Sequence, residues 1–167
     1  MLISLFFATL IFFLLLAMTY GVPFVPTRKD TAKKIIELLK IKPGDTFYDL
    51  GSGDGRMLFL AAEKGARAIG IEMNPHLVLW TYIKIILKRK WNQVSVKFGN
   101  YWWVNLSQAN KVIIYGMPRI MSKASKKFIR ELKKGTLVAS NSFQIPDMDL
   151  VKKIVVGKDT VYLYKAN

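Results

Sequence analysis

No cysteine occurs in the 167 residues, and histidine occurs once, at His76. The first absence excludes a disulfide scaffold, a thiol nucleophile and every Cys-ligated zinc or iron–sulfur site. The second excludes a multi-histidine metal centre. Acidic residues are scarce: 11 Asp and Glu stand against 26 Lys and Arg, a formal charge of +15. That excess is silent about fold, but it predicts attraction to something negative, whether nucleic acid, anionic lipid or an acidic cofactor. Charge of either sign is missing altogether from residues 1–27.

An apolar run fills that uncharged stretch, Leu2–Gly21 (LISLFFATLIFFLLLAMTYG). About twenty helical residues span roughly 30 Å, the hydrocarbon thickness of a bilayer. A core helix of a soluble domain would show a polar face, and this run shows none. A cleaved signal peptide is the competing reading. It needs a basic stretch ahead of the apolar run and a small-residue cleavage site. Nothing basic precedes Leu2, and Ala17-Met18-Thr19 is a poor site. The run therefore reads as a retained transmembrane anchor over 1–21, followed by a linker over 22–27 and a domain over 28–167. Arg28, Lys29, Lys33 and Lys34 all follow the run. The positive-inside rule then places the N-terminus outside and the domain in the cytoplasm, or facing the matrix in a mitochondrion.

The linker, Val-Pro-Phe-Val-Pro-Thr, is stiffened by two prolines and reaches about 20 Å at most, which holds the domain against the membrane. Thr27 with Asp30 has the form of a capping box opening a helix over 28–40. Beyond the Lys42–Asp45 turn, strands are predicted near 46–50, 67–72, 93–98, 111–116 and 136–141, with helices near 54–64, 75–90 and 122–134. The alternation predicts an α/β fold with a parallel sheet covered by helices. Lys153–Val156 and Thr160–Tyr164, around Gly157-Lys158-Asp159, read as a hairpin that puts an antiparallel last strand at the sheet edge.

The chemistry is concentrated in Asp49-Leu50-Gly51-Ser52-Gly53-Asp54-Gly55-Arg56. A strand runs into alternate glycines and then into a helix whose first N–H groups are free. A phosphate-binding loop of the Walker type would end in Gly-Lys-Ser/Thr, and Arg56-Met57 stands there instead. A dinucleotide loop would bring a pyrophosphate to the helix start, which Asp49 and Asp54 would repel. Carboxylates suit a cation, and S-adenosylmethionine carries a sulfonium and an ammonium but no phosphate. Glu72 ends the second strand about 20 residues on, where a carboxylate can accept both ribose hydroxyls. Asp49, Gly51, Ser52, Gly53, Asp54, Gly55 and Glu72 are thus the candidate cofactor residues.

Asp49–Arg56 with Glu72 resembles the class I, seven-strand S-adenosylmethionine-dependent methyltransferases. A finer resemblance runs from Pro23-Phe24-Val25-Pro26-Thr27 through the same loop, Tyr115-Gly116-Met117-Pro118, Phe143-x-x-Pro146 and Asp159-Thr160-Val161-Tyr162. In that pattern the chain is similar to the membrane-anchored protein-lysine methyltransferases that act on the ADP/ATP carrier and on the ATP synthase c-ring protein. It departs from them at Asn100, Asn105 and Ser140-Asn141-Ser142. The resemblance implies a Rossmann-like sheet, mostly parallel with the last strand antiparallel, behind one transmembrane helix. It also implies methylation of a lysine of an integral membrane protein. Asn100, ending the third strand, can accept from the adenine amino group through its carbonyl oxygen, or serve as an ordinary loop residue. Tyr115 and Pro118 end the fourth strand beside the transferable methyl, as catalytic residues or as packing.

Rival readings remain at this level. An anchor would equally serve a lipid or small-molecule methyltransferase, or a non-catalytic cofactor-binding membrane protein. The charge of +15 favours nucleic acid, which the anchor disfavours, as does the lack of the Asn/Asp-Pro-Pro-aromatic segment of adenine methyltransferases. His76 reads as structural. Tyr101-Trp102-Trp103 is a substrate gate, an interfacial anchor or loop packing. Lys84, Lys88, Arg89 and Lys90, and the run from Lys123 to Lys134, read as solvated faces or as an anionic-lipid contact.

Overall fold

The computed structural model of the chain describes residues 4–7, 9 and 24–167. The expected span over 1–21, and residues 22 and 23 of the linker, lie almost wholly outside them. Among the described residues, no helix is long and apolar enough to cross a membrane.

The elements are α1 (Lys29–Leu38), β1 (Thr46–Leu50), α2 (Arg56–Glu63), β2 (Arg67–Glu72), α3 (Pro75–Leu87), β3 (Val94–Phe98), a 3-10 turn (Tyr101–Trp103), β4 (Lys111–Ile114), α4 (Pro118–Glu131), β5 (Leu137–Asn141), β6 (Asp149–Val156) and β7 (Asp159–Lys165). The strands form one seven-stranded sheet in the order β3-β2-β1-β4-β5-β7-β6. β1 to β5 pair in parallel, and β7 runs antiparallel to both β5 and β6.

Alternation along each strand feeds two cores. Phe47, Ala68, Ile113 and Ala139 pack under α1, α2 and α3, with Ile35, Leu58 and Ile85 facing them. Tyr48, Leu50, Ile69, Val112 and Val138 pack on the other face against Met121, Ala124 and Phe128 of α4. Strands buried on both faces are the signature of a helix-covered parallel sheet.

Three sequence expectations shift. The last strand is antiparallel but is not at the edge. β7 buries Val161 to Tyr164 and so takes an interior place, while β6, exposed along Lys152 and Lys153, becomes the edge. Charged side chains on an edge strand guard it against pairing with other chains. α4 begins at Pro118, four residues before its expected start, because proline fits the first helical position, where no N–H is needed. Thr27 and Asp30 form no capping box. The N-cap is Arg28, without a side-chain bond. Tertiary bonds fix this end instead: Thr31 Oγ1 donates to Asp159 Oδ2 at 2.6 Å, and the Thr27 carbonyl accepts from Arg56 Nη1.

Candidate active site

The strand order reverses between β1 and β4, each flanked on its far side by a strand going the other way across the sheet. Ligands of open α/β sheets bind at such a switch point, beyond the carboxyl ends of the strands. A cleft of about 840 Å³ opens there, the size of a small-molecule site.

Its floor is the β1–α2 loop. Gly51, Gly53 and Gly55 hold φ values of 89°, 54° and 77°, a left-handed conformation open to glycine. Gly51 and Ser52 donate their N–H groups to the Ile71 carbonyl at 2.9 and 3.1 Å, which lays the loop across the end of β2. Glu72 fastens the other side. Its Oε2 accepts from Gly53 N at 2.8 Å, and its Oε1 accepts from Met73 N and Asn74 N, both at 2.8 Å. A carboxylate offers about four acceptor positions, so Glu72 shapes the loop and keeps acceptor capacity for a hydroxyl.

Asp49, next to last in β1, is buried. Burial, and then the like charges of Glu72 and Asp54, push its carboxyl up to about 8. Asp54 behaves oppositely. Burial pushes it up, but bonds from Arg56 (Nε at 2.9 Å, Nη2 at 3.0 Å) and the nearby Lys84 ammonium outweigh this and hold it below the ordinary value. The Asp54 charge is therefore already matched by Arg56, although Asp54 lines the cleft. Asp49 faces only charges of its own sign, and a cationic ligand would relieve it.

The remaining wall is apolar. Tyr101 and Trp102 line it, their rings 4.8 Å apart, and Lys123 Nζ lies 4.4 Å over the Trp102 ring. The turn that carries them is pinned by Lys127, which is buried rather than solvated. Its Nζ donates to the Val104 carbonyl at 2.6 Å and to Glu131 Oε2 at 2.7 Å. Trp103 points to solvent.

Most expected site residues converge: Asp49, Gly51, Ser52, Gly53, Asp54, Glu72 and Tyr115 all line the cleft. Gly55, Asn100 and Pro118 do not. Gly55 is the N-cap of α2, where a Cβ would meet Thr81 Cγ2 at 2.6 Å, so its space is needed for α3. Asn100 spends its carbonyl oxygen on Trp102 N at 3.0 Å, capping the 3-10 turn. Pro118 starts α4, while Tyr115, Gly116 and Met117 before it line the cleft. His76 is outside it, at the first turn of α3, where its N–H is capped by Asn74 Oδ1 at 3.0 Å.

Sequence reasoning missed the linker's part. Phe24, Val25, Pro26 and Thr27 form a wall of the cleft. The Phe24 ring lies so close to Gly53 that a Cβ there would meet it at 2.4 Å. Two prolines around an aromatic were the available signal. Gly70 was also missed: a Cβ on it would meet Ser52 Oγ at 2.5 Å and Leu58 Cδ1 at 2.7 Å, so the loop can lie on β2 only over a glycine. Arg119 at the mouth is the third.

The donor set decides what fits. Among the described residues Ser52 Oγ, tucked against Gly70, has no hydrogen-bond partner and Asp49 faces no cation, while Glu72 retains acceptor capacity beside an aromatic wall. A nucleoside with a cationic tail meets the needs of Asp49 and Glu72. The fold and this cleft define a class I methyltransferase, with S-adenosylmethionine as its cofactor. The chain belongs to the family of the ANTKMT methyltransferase domain, whose family model matches residues 49–152. It is 36% identical over 147 residues to the human ATP synthase C-subunit lysine N-methyltransferase, covering 87% of this chain but 62% of that protein. It thus spans less than two thirds of the human relative. A Protein-lysine N-methyltransferase of Saccharolobus islandicus (strain REY15A) is 31% identical over 150 residues, with 86% and 92% covered. Among solved structures, an RNA methyltransferase from Salinibacter ruber in complex with S-adenosyl-L-homocysteine superposes with a TM-score of 0.81. It is 32% identical, over 84% of this chain and 93% of that one.

Proposed function

We propose that the chain transfers a methyl group from S-adenosylmethionine to the side-chain amine of a lysine in an integral membrane protein. In this reading residues 1–21 span the bilayer and the domain faces the cytoplasm, or the matrix in a mitochondrion. The observation that carries the proposal is the buried Asp49 carboxyl, crowded by Glu72 and Asp54 at the cleft, in a chain 36% identical to an enzyme named as a lysine N-methyltransferase.

The bound cofactor supplies an electrophilic methyl on a sulfonium. With it bound in the cleft, a neutral lysine amine would accept the methyl and with it the positive charge, while the sulfur would keep the electron pair of its broken S–C bond as a thioether. This chemistry depends on alignment more than on a strong base. Asp49 and Glu72 would hold the cofactor's charge and hydroxyls, Phe24 packed on Gly53 would wall the cleft, and Tyr115, directly after β4, would orient the amine. The lysine must arrive neutral. An apolar wall and the positive charge of Arg119 at the mouth both lower an amine's pKa.

The test is incubation of the full chain with methyl-labelled cofactor and the host's own membranes, followed by separation of protein, lipid and RNA. Label on lysine in the protein fraction is expected. Label in RNA alone would favour a second reading, which draws on the charge of +15 and on the RNA methyltransferase neighbour. Label in lipid would favour a lipid methyltransferase.

A further inference from the structure

Helix α3 has two apolar faces. At roughly 100° per residue, buried Thr81 and Ile85 sit on one side. Opposite them Leu79, Trp80, Tyr82, Ile83, Ile86 and Leu87 fall within an arc of roughly 160°. Leu79, Trp80 and Tyr82 are more than half exposed, and Leu87 is 77% exposed. The face does not stop at the helix. A groove between α3 and β3, the edge strand opposite β6, is lined in part by Leu79, Tyr82, Val96 and Phe98, and Phe98 is 67% exposed. Half-exposed side chains of this size leave on the order of 100 Å² each. Together they exceed the few hundred Å² that a monomer's surface ordinarily shows in one patch.

We infer that this face of α3 and β3 is a docking surface for an anionic lipid bilayer. Four observations choose the occupant. Trp80, Tyr82 and Trp91 carry the ring-and-dipole chemistry of the membrane interface. Lys88, Arg89 and Lys90 follow directly at the C-terminal end of the helix, where each basic group near an anionic surface adds attraction. A second copy of this chain would bring +15 against +15, whereas anionic lipid complements it. The fourth is the path of the chain. Phe24 enters the domain against Gly53, whose carbonyl accepts from Thr81 Oγ1 on the inner face of α3. Phe24, three residues after the end of the uncharged apolar run, therefore sits near this helix. Met73 and Leu77, at the start of α3, also line the cleft, so docking here would bring the cleft to the lipid surface. The face stands without the anchor proposed above, and the anchor only supplies its tether.

The absence of cysteine allows a clean test. Single cysteines replace Leu79, Ile86, Lys126 on the opposite layer, and Ile11 in the apolar run. Each full-length variant is nitroxide-labelled and reconstituted into phosphatidylcholine vesicles with and without phosphatidylserine. Collision with oxygen and with a polar nickel chelate is then measured, after calorimetry confirms cofactor binding. Labels at Leu79 and Ile86 are expected to meet oxygen several-fold more often than nickel, more so with phosphatidylserine, and Lys88→Glu with Arg89→Glu should remove that dependence. The Lys126 label should report water. Water at Leu79 and Ile86 overturns the docking face, and shielding from both reagents overturns it in favour of a protein partner. Lipid at Ile11 with water at Leu79 refutes the face and leaves the anchor. Lipid at Leu79 with water at Ile11 does the reverse.

Discussion

Asp49 makes cofactor binding a proton-linked event. With its carboxyl pushed to about 8 by burial and by Glu72 and Asp54, about one cofactor-free molecule in ten has it ionised at pH 7. A cationic cofactor binds the ionised form. Apparent affinity should therefore rise about tenfold per pH unit between pH 5.5 and 7, and binding at pH 7 should release about 0.9 proton. Titration calorimetry in buffers of different ionisation enthalpy reads both quantities. Asp49→Asn keeps the shape and removes the charge, so its binding should be weaker, flat with pH and free of proton release. That variant separates Asp49 from every other group titrating in the range. Wild-type affinity that is flat from pH 5.5 to 7, with no buffer-dependent heat, would refute the reasoning.

The same carboxyl sets a stability profile. Its folded pKa lies above the unfolded value, so from pH 4 to about 8 the native state holds a proton that the unfolded chain has lost. Cofactor-free protein should lose a few kcal/mol over that window, level off above it, and gain thermal stability at pH 8 with Asp49→Asn. Phe24→Ala removes a half-buried ring from the cleft wall and should weaken cofactor binding about fivefold, about 1 kcal/mol, with the thermal midpoint nearly unchanged. Gly70→Ala forces Ser52 and Leu58 aside and should cost about 1–3 kcal/mol in denaturant unfolding. Lys127→Met strips the Trp102 and Val104 carbonyls of their ammonium donor and leaves Glu131 only Arg130 and Leu106 N, and should cost about 2 kcal/mol by the same measurement.

What the sequence made legible follows from range. Strand-loop-helix signals act over a few residues, so the β1–α2 loop, Glu72 and the element order could be read directly. Alternate glycines beside acids have few other uses. Long-range packing was not legible. Gly55 is required by Thr81, Gly70 by Ser52, and Thr27 is drawn into the cleft by Arg56, each across more than a dozen residues. The two readings of Asn100 could not be separated in the sequence because a strand-end asparagine serves a cap as well as a ligand, and the bond from Trp102 N depends on the turn beyond it. The place of β7 inside the sheet depends on its buried faces, which a hairpin signal does not reveal.

The central claim is tested most directly by mass spectrometry of host membrane proteins after reaction with deuterated-methyl cofactor, for the full chain and for Asp49→Asn. A labelled methyl on a lysine of an integral membrane protein, present with the wild-type chain and absent with the variant, is predicted. Membrane proteins left unlabelled by the wild-type chain while it binds the cofactor would contradict the account.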